Sequence, residues 1–498
     1  MELRWHQYKY YPYELDLAVR EIQTILSPRS FAETKCGIRL EGPFNEGAAA
    51  RLVYFASLCG DVRVSPTMQA QLERVNGNGQ NRQSTRYSAH GIHEYKGKFN
   101  PQIVRAILNI LDIPIGGRVL DPFCGSGTSL LECAHIGMEA IGTDINPLAV
   151  FIANAKLSAL TMPAAQLQKA LAAALKKLKT GSLLRYSISD ARYEYLISWF
   201  DQDILMEIER LRLALSKAEP VASKLLLVIA SNLLRDYSLQ DPHDLRIRRR
   251  KTPLPEQPFI AAFEKAALQF IARLGDAQDV IKTRSPEVAG KAILLDSRTM
   301  RPGLDVLGKS KFDCAITSPP YATALPYIDT QRLSLVWLEL LPPSEILMLE
   351  ARLVGSREIR GESKKALLTA LTENRAGLPK NQSDYCRTLQ AALSEKDGFR
   401  RQAVPLLLYR YFAGMAEAFR SIRRCVKDNA PFALIVGQNH TILGGKRFDI
   451  ETPQHLAELA EQNGWTHDET ITLQTYQRYG YHMNNAVNAE ALVIVRAA

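Results

Sequence analysis

The segment Thr317-Ser318-Pro319-Pro320-Tyr321 combines residue types that could hold and present an aromatic amine. It follows the apolar run Phe312 to Thr317, the pattern of a buried strand, so these side chains would stand at a strand end. An aromatic amine is a poor nucleophile because its lone pair is delocalised into the ring. A site that uses one must let the amino group pyramidalise and aim its lone pair at an electrophile. The hydroxyl of Ser318 and the carbonyl of Pro319 can accept the amino hydrogens, Pro319 and Pro320 fix the backbone and remove competing donors, and Tyr321 offers a face for stacking a flat base. The plainer reading of such a segment is a Pro-Pro turn closing a strand.

A second segment supplies a place for a nucleoside-type ligand. Asp121-Pro122-Phe123-Cys124-Gly125-Ser126-Gly127-Thr128 lies between a strand pattern and a helix pattern. Gly125 and Gly127 let the backbone approach a ligand closely, and the following helix presents free N–H groups. Asp144 ends the next apolar run, Glu139 to Asp144, where an acid can accept hydrogen bonds from both hydroxyls of a ribose. The plainer reading of Asp144 is an N-cap for a helix opening at Pro147. Asp296, closing Lys291 to Asp296, could accept from an adenine amino group or be an ordinary strand-end acid. Pro122, Phe123, Thr128 and Ile145 join these as candidate cofactor contacts.

These residues need a scaffold that brings strand ends together. Strand, turn, helix, strand is the order of a doubly wound parallel α/β sheet. Candidate strands are Arg118 to Asp121, Glu139 to Asp144, Lys291 to Asp296, Phe312 to Thr317, Pro431 to Gly437 and Glu490 to Arg496. Residues 1–84 read as a small N-terminal segment, with a helix near Leu15 to Leu26 and a turn-rich linker from Asn76 to Ser84. Residues 85–160 form a cofactor-binding half, 289–341 a catalytic half and 404–498 the C-terminal part of the same sheet. The stretch 161–288 is too long for a connection and is expected to be a mainly helical insertion, with 342–403 a second, weakly patterned one.

The bulk numbers are permissive. A chain of 498 residues with 46% hydrophobic residues can bury a large core, and a formal charge of +10 favours polyanions in a general way. The start, MELRWHQYKYYPYELDL, lacks an apolar core with a small-residue cleavage site, so no secretory signal is expected. No apolar run approaches the roughly 20 residues of a membrane span, and no membrane role is expected. Seven cysteines without a CxxC pair or Cys/His cluster read as reduced thiols in a cytoplasm, with no metal site. Arg246, Arg248, Arg249, Arg250 and Lys251 make a basic run inside 161–288, a candidate nucleic-acid contact whose bland alternative is a solvated face.

Taken together, the chain resembles the S-adenosylmethionine-dependent amino-methyltransferases that modify DNA at adenine N6 or cytosine N4. The Gly loop Asp121 to Thr128, the acid Asp144 and the (Ser/Asn/Asp)-Pro-Pro-aromatic motif at Ser318 to Tyr321 carry the resemblance, which covers 86–160 and 290–340 well and 405–498 loosely. It implies a Rossmann-like class I methyltransferase sheet, S-adenosylmethionine as cofactor, and a flipped base held by Ser318, Pro319, Pro320 and Tyr321. Lys98 and Phe99 resemble the family segment beside the methionine end of the cofactor. The insertion 161–288 takes the place that holds target recognition in one family arrangement. DNA is the implied partner, with a restriction endonuclease or other defence-system protein as a further option. Serine at the first motif position usually accompanies cytosine N4 methylation, and Asn or Asp adenine N6. An RNA or protein-glutamine amino-methyltransferase would use a closely similar motif, usually starting with Asn or Asp. A binding module that kept the fold and lost activity is countered by intact Asp121, Asp144, Ser318 and Tyr321. Methylation at cytosine carbon 5 needs a cysteine nucleophile, usually in a Pro-Cys dipeptide, and the sequence has none.

Overall fold

The computed structural model describes residues 1–42, 45–60, 63–74, 83–97, 100–180, 191–282, 290–322, 328–359, 364–474 and 489–498. An N-terminal antiparallel sheet is formed by β1 (Glu2–Trp5), β2 (Ser30–Thr34), β3 (Gly37–Glu41), β4 (Phe55–Cys59) and β5 (Val64–Pro66), in the order β2-β3-β1-β4-β5. The sequence pattern shows only the helix of this region, Pro12–Leu26, because the strands are short and interrupted by polar residues. The described part of this region packs against the helices that follow it. Leu17, Ile22 and Tyr54 share one hydrophobic cluster with Ile107 and Leu130, and Asn109 Nδ2 donates to the buried Glu21 at 2.7 Å. The expected linker lies mostly outside the described residues, and Gln83 at its end is pinned: it donates to Glu14 at 2.7 Å and accepts from Asn100 at 3.0 Å.

The main sheet contains β6 (Arg118–Asp121), β7 (Glu139–Asp144), β8 (Gly290–Leu294), β9 (Cys314–Thr317), β10 (Pro431–Gly437), β13 (Trp465–Gln474) and β14 (Ala489–Ala497), while β11 (Asn439–Leu443) and β12 (Lys446–Ile450) form a separate hairpin. The strand order is β13-β14-β10-β9-β6-β7-β8, parallel from β10 to β8, with β14 antiparallel to both its neighbours. This is a doubly wound, largely parallel α/β sheet with β14 reversed. Its central strands β9 and β10 are buried along their whole length, as strands covered on both faces must be. Side-chain alternation divides the core: Val119, Ile316 and Ile435 enter one hydrophobic layer, Leu120, Ala315 and Leu434 the other.

Chain order reverses between β6 and β9, and the carboxyl ends of strands at such a switch point open a crevice for ligands. The two motifs sit there, one after β6 and the other after β9. Residues 161–288 contain the helices Ala164–Thr180, Ala191–Ile197, Gln202–Leu215, Pro220–Leu233 and Phe259–Lys282. Residues 342–403 are also largely helical. The division at 403/404 cuts through the helix Phe399–Cys425, where the polar first turns hid a continuous element that packs into the core from Ala403 onward. Among the described residues no single helix is long and apolar enough to cross a membrane.

Candidate active site

The turn after β6 is held from beneath. Asp121 is buried, and its carboxylate accepts from the Phe123 N–H at 3.1 Å, from Thr317 Oγ1 at 2.7 Å and from the Ser129 hydroxyl. Asp121 therefore ties the Gly loop to the residue preceding Ser318, across the switch point. Burial pushes its carboxyl up to about 6, against the pull of these donors. Gly127 serves packing: in its left-handed conformation, φ 73°, a Cβ would stand 2.7 Å from the Cβ of Ala153. Thr128 is buried at the start of the helix Thr128–His135. These three candidate cofactor contacts lie under the loop: the Asp121 carboxylate is occupied by protein donors, the space at Gly127 by Ala153, and Thr128 is buried.

Asp144 ends β7. Its two oxygens accept from the Gly125 N–H at 3.0 Å and the Asn146 N–H at 2.8 Å, leaving lone pairs for a ligand. Asn146 is the N-cap of Pro147–Thr161, donor Leu148 N–H at 3.0 Å, so the capping role considered for Asp144 belongs to its neighbour. Burial raises the Asp144 carboxyl to about 6.

Pro122, Phe123, Gly125, Asp144, Ile145, Asp296 and Ser318 to Tyr321 border one cleft with about 800 Å³ of empty space. Tyr95, Arg298 and Val354 also line it, and nothing in their sequence context marks them. Asp296 lies beyond the end of β8. It caps the turn Ser297–Thr299 and grips Arg298 through the guanidinium, with Arg298 Nη2 at 2.6 Å. Burial opposes its ionisation, but Arg298 holds the carboxyl below its usual range. The strand-end expectation for Asp296 thus gives way to a capped ion pair at the cleft wall. Lys98 and Phe99 lie outside the described residues.

Ser318 Oγ donates to the Ile435 carbonyl of β10 at 3.1 Å, an arrangement that leaves its own lone pairs as acceptors. Pro319 is buried behind it. Tyr321 donates its hydroxyl to Glu490 of β14 at 2.7 Å.

The basic run forms a hairpin-like turn well after the helix Pro220–Leu233 has ended, with Asp241 N–H to Arg248 O and Arg250 N–H to Leu239 O both at 2.8 Å. Arg246 and Arg248 share Asp244, Arg249 lies over Trp199 at 4.8 Å and donates to Ser198 O, and Arg250 donates to Asp236 O. Lys251 is exposed. Gln240 Nε2 donates to Asp329 O at 3.0 Å, which docks this turn on the chain that follows the Ser318 motif.

A buried group with metal-ligand chemistry, His90, Glu132 and His135, lies apart from the cleft wall. Arg105 already compensates the carboxylate, with Nε on Glu132 Oε2 at 2.7 Å. Burial works against the charge, yet Arg105 and His135 hold the Glu132 carboxyl well below its usual range. This is an internal ion network beneath the Gly loop helix.

A DNA methylase family model covering N6 and N4 enzymes matches residues 24–155, including the Gly loop and Asp144. The match makes this part of the chain similar to the amino-methyltransferase family. The family uses S-adenosylmethionine, and the cleft offers groups a nucleoside could use: the backbone at Gly125, where a Cβ would meet the Tyr95 ring at 3.2 Å, an acid at Asp144 and apolar walls at Pro122, Phe123 and Ile145. Among similar proteins is the Type II methyltransferase M.MjaII of Methanocaldococcus jannaschii, 48% identical over 68 residues, 14% of this chain and 13% of that protein. The Type II methyltransferase M.AvaI of a Nostoc species is 23% identical over 438 residues, 77% of this chain and 80% of that protein. A tRNA (guanine(10)-N2)-dimethyltransferase of Methanothermobacter thermautotrophicus is 38% identical over 52 residues, 10% of this chain and 16% of that protein. The two local matches thus span less than a fifth of those relatives' length.

Proposed function

We propose that the protein methylates the exocyclic amino group of a flipped DNA base, cytosine N4 in the first place. The observation that carries this reading is that Ser318-Pro319-Pro320-Tyr321 and Asp144 border one cleft across the switch point, with Asp121 bonded to Thr317 between them. S-adenosylmethionine, when bound, supplies an activated methyl group on a good leaving group. Asp144 would hold the ribose, and Gly125 would let the chain pass close to the nucleoside. Ser318 and the Pro319 carbonyl would accept the amino hydrogens and hold the lone pair in line, while Tyr321 would stack the base withdrawn from the duplex. No covalent intermediate is required, and the amino proton leaves after transfer to solvent or a nearby oxygen. Serine at the first motif position supports cytosine N4 over adenine N6. In the basic turn Arg248, Arg249 and Lys251 are exposed, and because Arg249 is held on Trp199 and the Ser198 carbonyl, Arg248 and Lys251 are the side chains we assign to phosphate. Cysteines with no disulfide among them fit a cytoplasmic setting.

A second reading, methylation of an RNA amino group, draws on the local likeness to the tRNA enzyme. One experiment separates the readings: incubate the protein with tritiated S-adenosylmethionine and either unmethylated plasmid DNA or bulk tRNA, then digest and identify the labelled nucleoside by mass spectrometry. N4-methylcytosine in DNA is the expected product. Label in N6-methyladenine would reassign the base, and label confined to tRNA would overturn the DNA reading.

A further inference from the structure

We infer that the cross-strand pair Gly437 and Glu490 is a seat for the ring of Tyr321, making Glu490 a positioning residue for the reaction proposed above, on which the inference rests. The register of β10 against β14 places Gly437 opposite Glu490. A Cβ at Gly437 would stand 3.2 Å from Tyr321 Cζ and 3.4 Å from its hydroxyl oxygen, so the phenol end lies against bare backbone. Across the same ladder rung, Glu490 Oε1 accepts the Tyr321 hydroxyl at 2.7 Å. One strand withholds a side chain and its neighbour supplies an acceptor. Downstream, Asn439 Nδ2 holds the Ala322 carbonyl at 3.0 Å, and upstream Pro320 restricts the backbone.

A stacking platform is useful only if its plane is set before the base arrives. A ring free to rotate must be ordered during binding, which lowers affinity, and a misplacement of about 1 Å at the reacting atoms can lower the rate about 10²-fold. The hydroxyl bond to Glu490 and the contact at Gly437 constrain the ring at its far end, where the Ser-Pro-Pro backbone cannot. A carboxylate suits the task because it accepts only, so the phenol must donate to it. The N-terminal helix packs on this edge of the sheet: Tyr13 is buried, and Arg20 on the same helix pairs with Glu469 of β13 at 2.9 Å.

The test compares Tyr321→Phe, Glu490→Ala, the double variant and Glu490→Gln in the full chain. With tritiated S-adenosylmethionine and unmethylated plasmid DNA, Tyr321→Phe and Glu490→Ala should each lower kcat about tenfold, and the double variant should fall no further. Cofactor Kd by calorimetry should stay within about twofold, and Glu490→Gln, which keeps an acceptor, should retain at least about a third of kcat. Unchanged kcat in Glu490→Ala, or losses that multiply in the double variant, overturn the seat. Thermal melts of the same proteins without substrate form an independent cycle: coupled shifts support the pairing and additive shifts overturn it. Coupled melts together with no transfer by the unaltered protein would reject the proposed reaction while leaving the seat standing.

Discussion

On the Gly125 wall of the cleft, the Gly125 N–H reaches Asp144, 19 positions along the chain, and Ser129 bonds Asp121 from 8 positions away. On the Ser318 wall the partners are remote: Ile435 lies 117 positions from Ser318, and Glu490 lies 169 from Tyr321. These two bonds of the first wall are made within one βαβ unit. The second wall exists only when β10 and the antiparallel β14 have been added to the sheet. Damage to the first should therefore be felt as cofactor affinity, and damage to the second as turnover, even from residues far away in sequence. Asp121 to Thr317, 196 positions apart, is the joint between the two.

The largest effect expected from this division is at Ser318. Removing the hydroxyl in Ser318→Ala takes away an acceptor for the amino group and the bond to Ile435 O, and kcat should fall about 10²-fold, equivalent to about 2.7 kcal/mol of barrier. Cofactor affinity should be nearly unchanged, because the Ser318 hydroxyl bonds β10 rather than the Gly loop. Equal losses of kcat and cofactor binding would mean that the two walls are not separable.

The converse variant is Asp144→Ala, expected to weaken S-adenosylmethionine binding by at least about 1.5 kcal/mol as charge-assisted hydrogen bonds are lost. The same carboxyl gives a pH signature. Its free-state value is about 6, raised by burial, and hydrogen bonds from the ribose favour the charged form. Affinity should hold above pH 6 and decline as pH falls below it, with Asp144→Asn flattening that part of the profile. Calorimetry from pH 5 to 8 checks this, and a profile unaltered by Asp144→Asn would transfer the titration to another group, Asp121 being the nearest in value.

How much of this could be read from the chain follows from the same distances. The Gly loop, Asp144 and the strand-helix order are local patterns, so periodicity and turn residues reveal them. Ser318 to Tyr321 is legible as a motif, but its support is not: Gly437 and Glu490 gain meaning only through the β10 and β14 register. Asp121 and Thr128 were legible as loop members, whereas their inward orientation depends on Thr317, Ser129 and the core beneath. The N-terminal sheet was invisible because strands as short as Glu2–Trp5 and Val64–Pro66 carry too few residues to show a period of two. Tyr95 stands in the cleft as an isolated aromatic, with no pattern to distinguish it from a core residue.

The smallest effect concerns the basic turn, where sequence shows five cations but structure gives them different work. Arg249 and Arg250 bond backbone carbonyls of Ser198 and Asp236, and Arg249 also covers Trp199, so their loss should loosen the turn. Arg248 is 58% exposed even while paired with Asp244, and Lys251 is exposed, so these two can exchange their present surroundings for phosphate. Arg248→Ala and Lys251→Ala should each reduce the slope of log affinity against log salt by about 0.9, weakening all duplexes alike. Arg249→Ala should lower the melting temperature with little change in slope. Binding measured at several salt concentrations on duplexes of different sequence, alongside thermal melts, resolves the two groups. An unchanged slope for both Arg248→Ala and Lys251→Ala would remove the turn from DNA binding, and loss of preference for one sequence at constant slope would mean that it reads base edges.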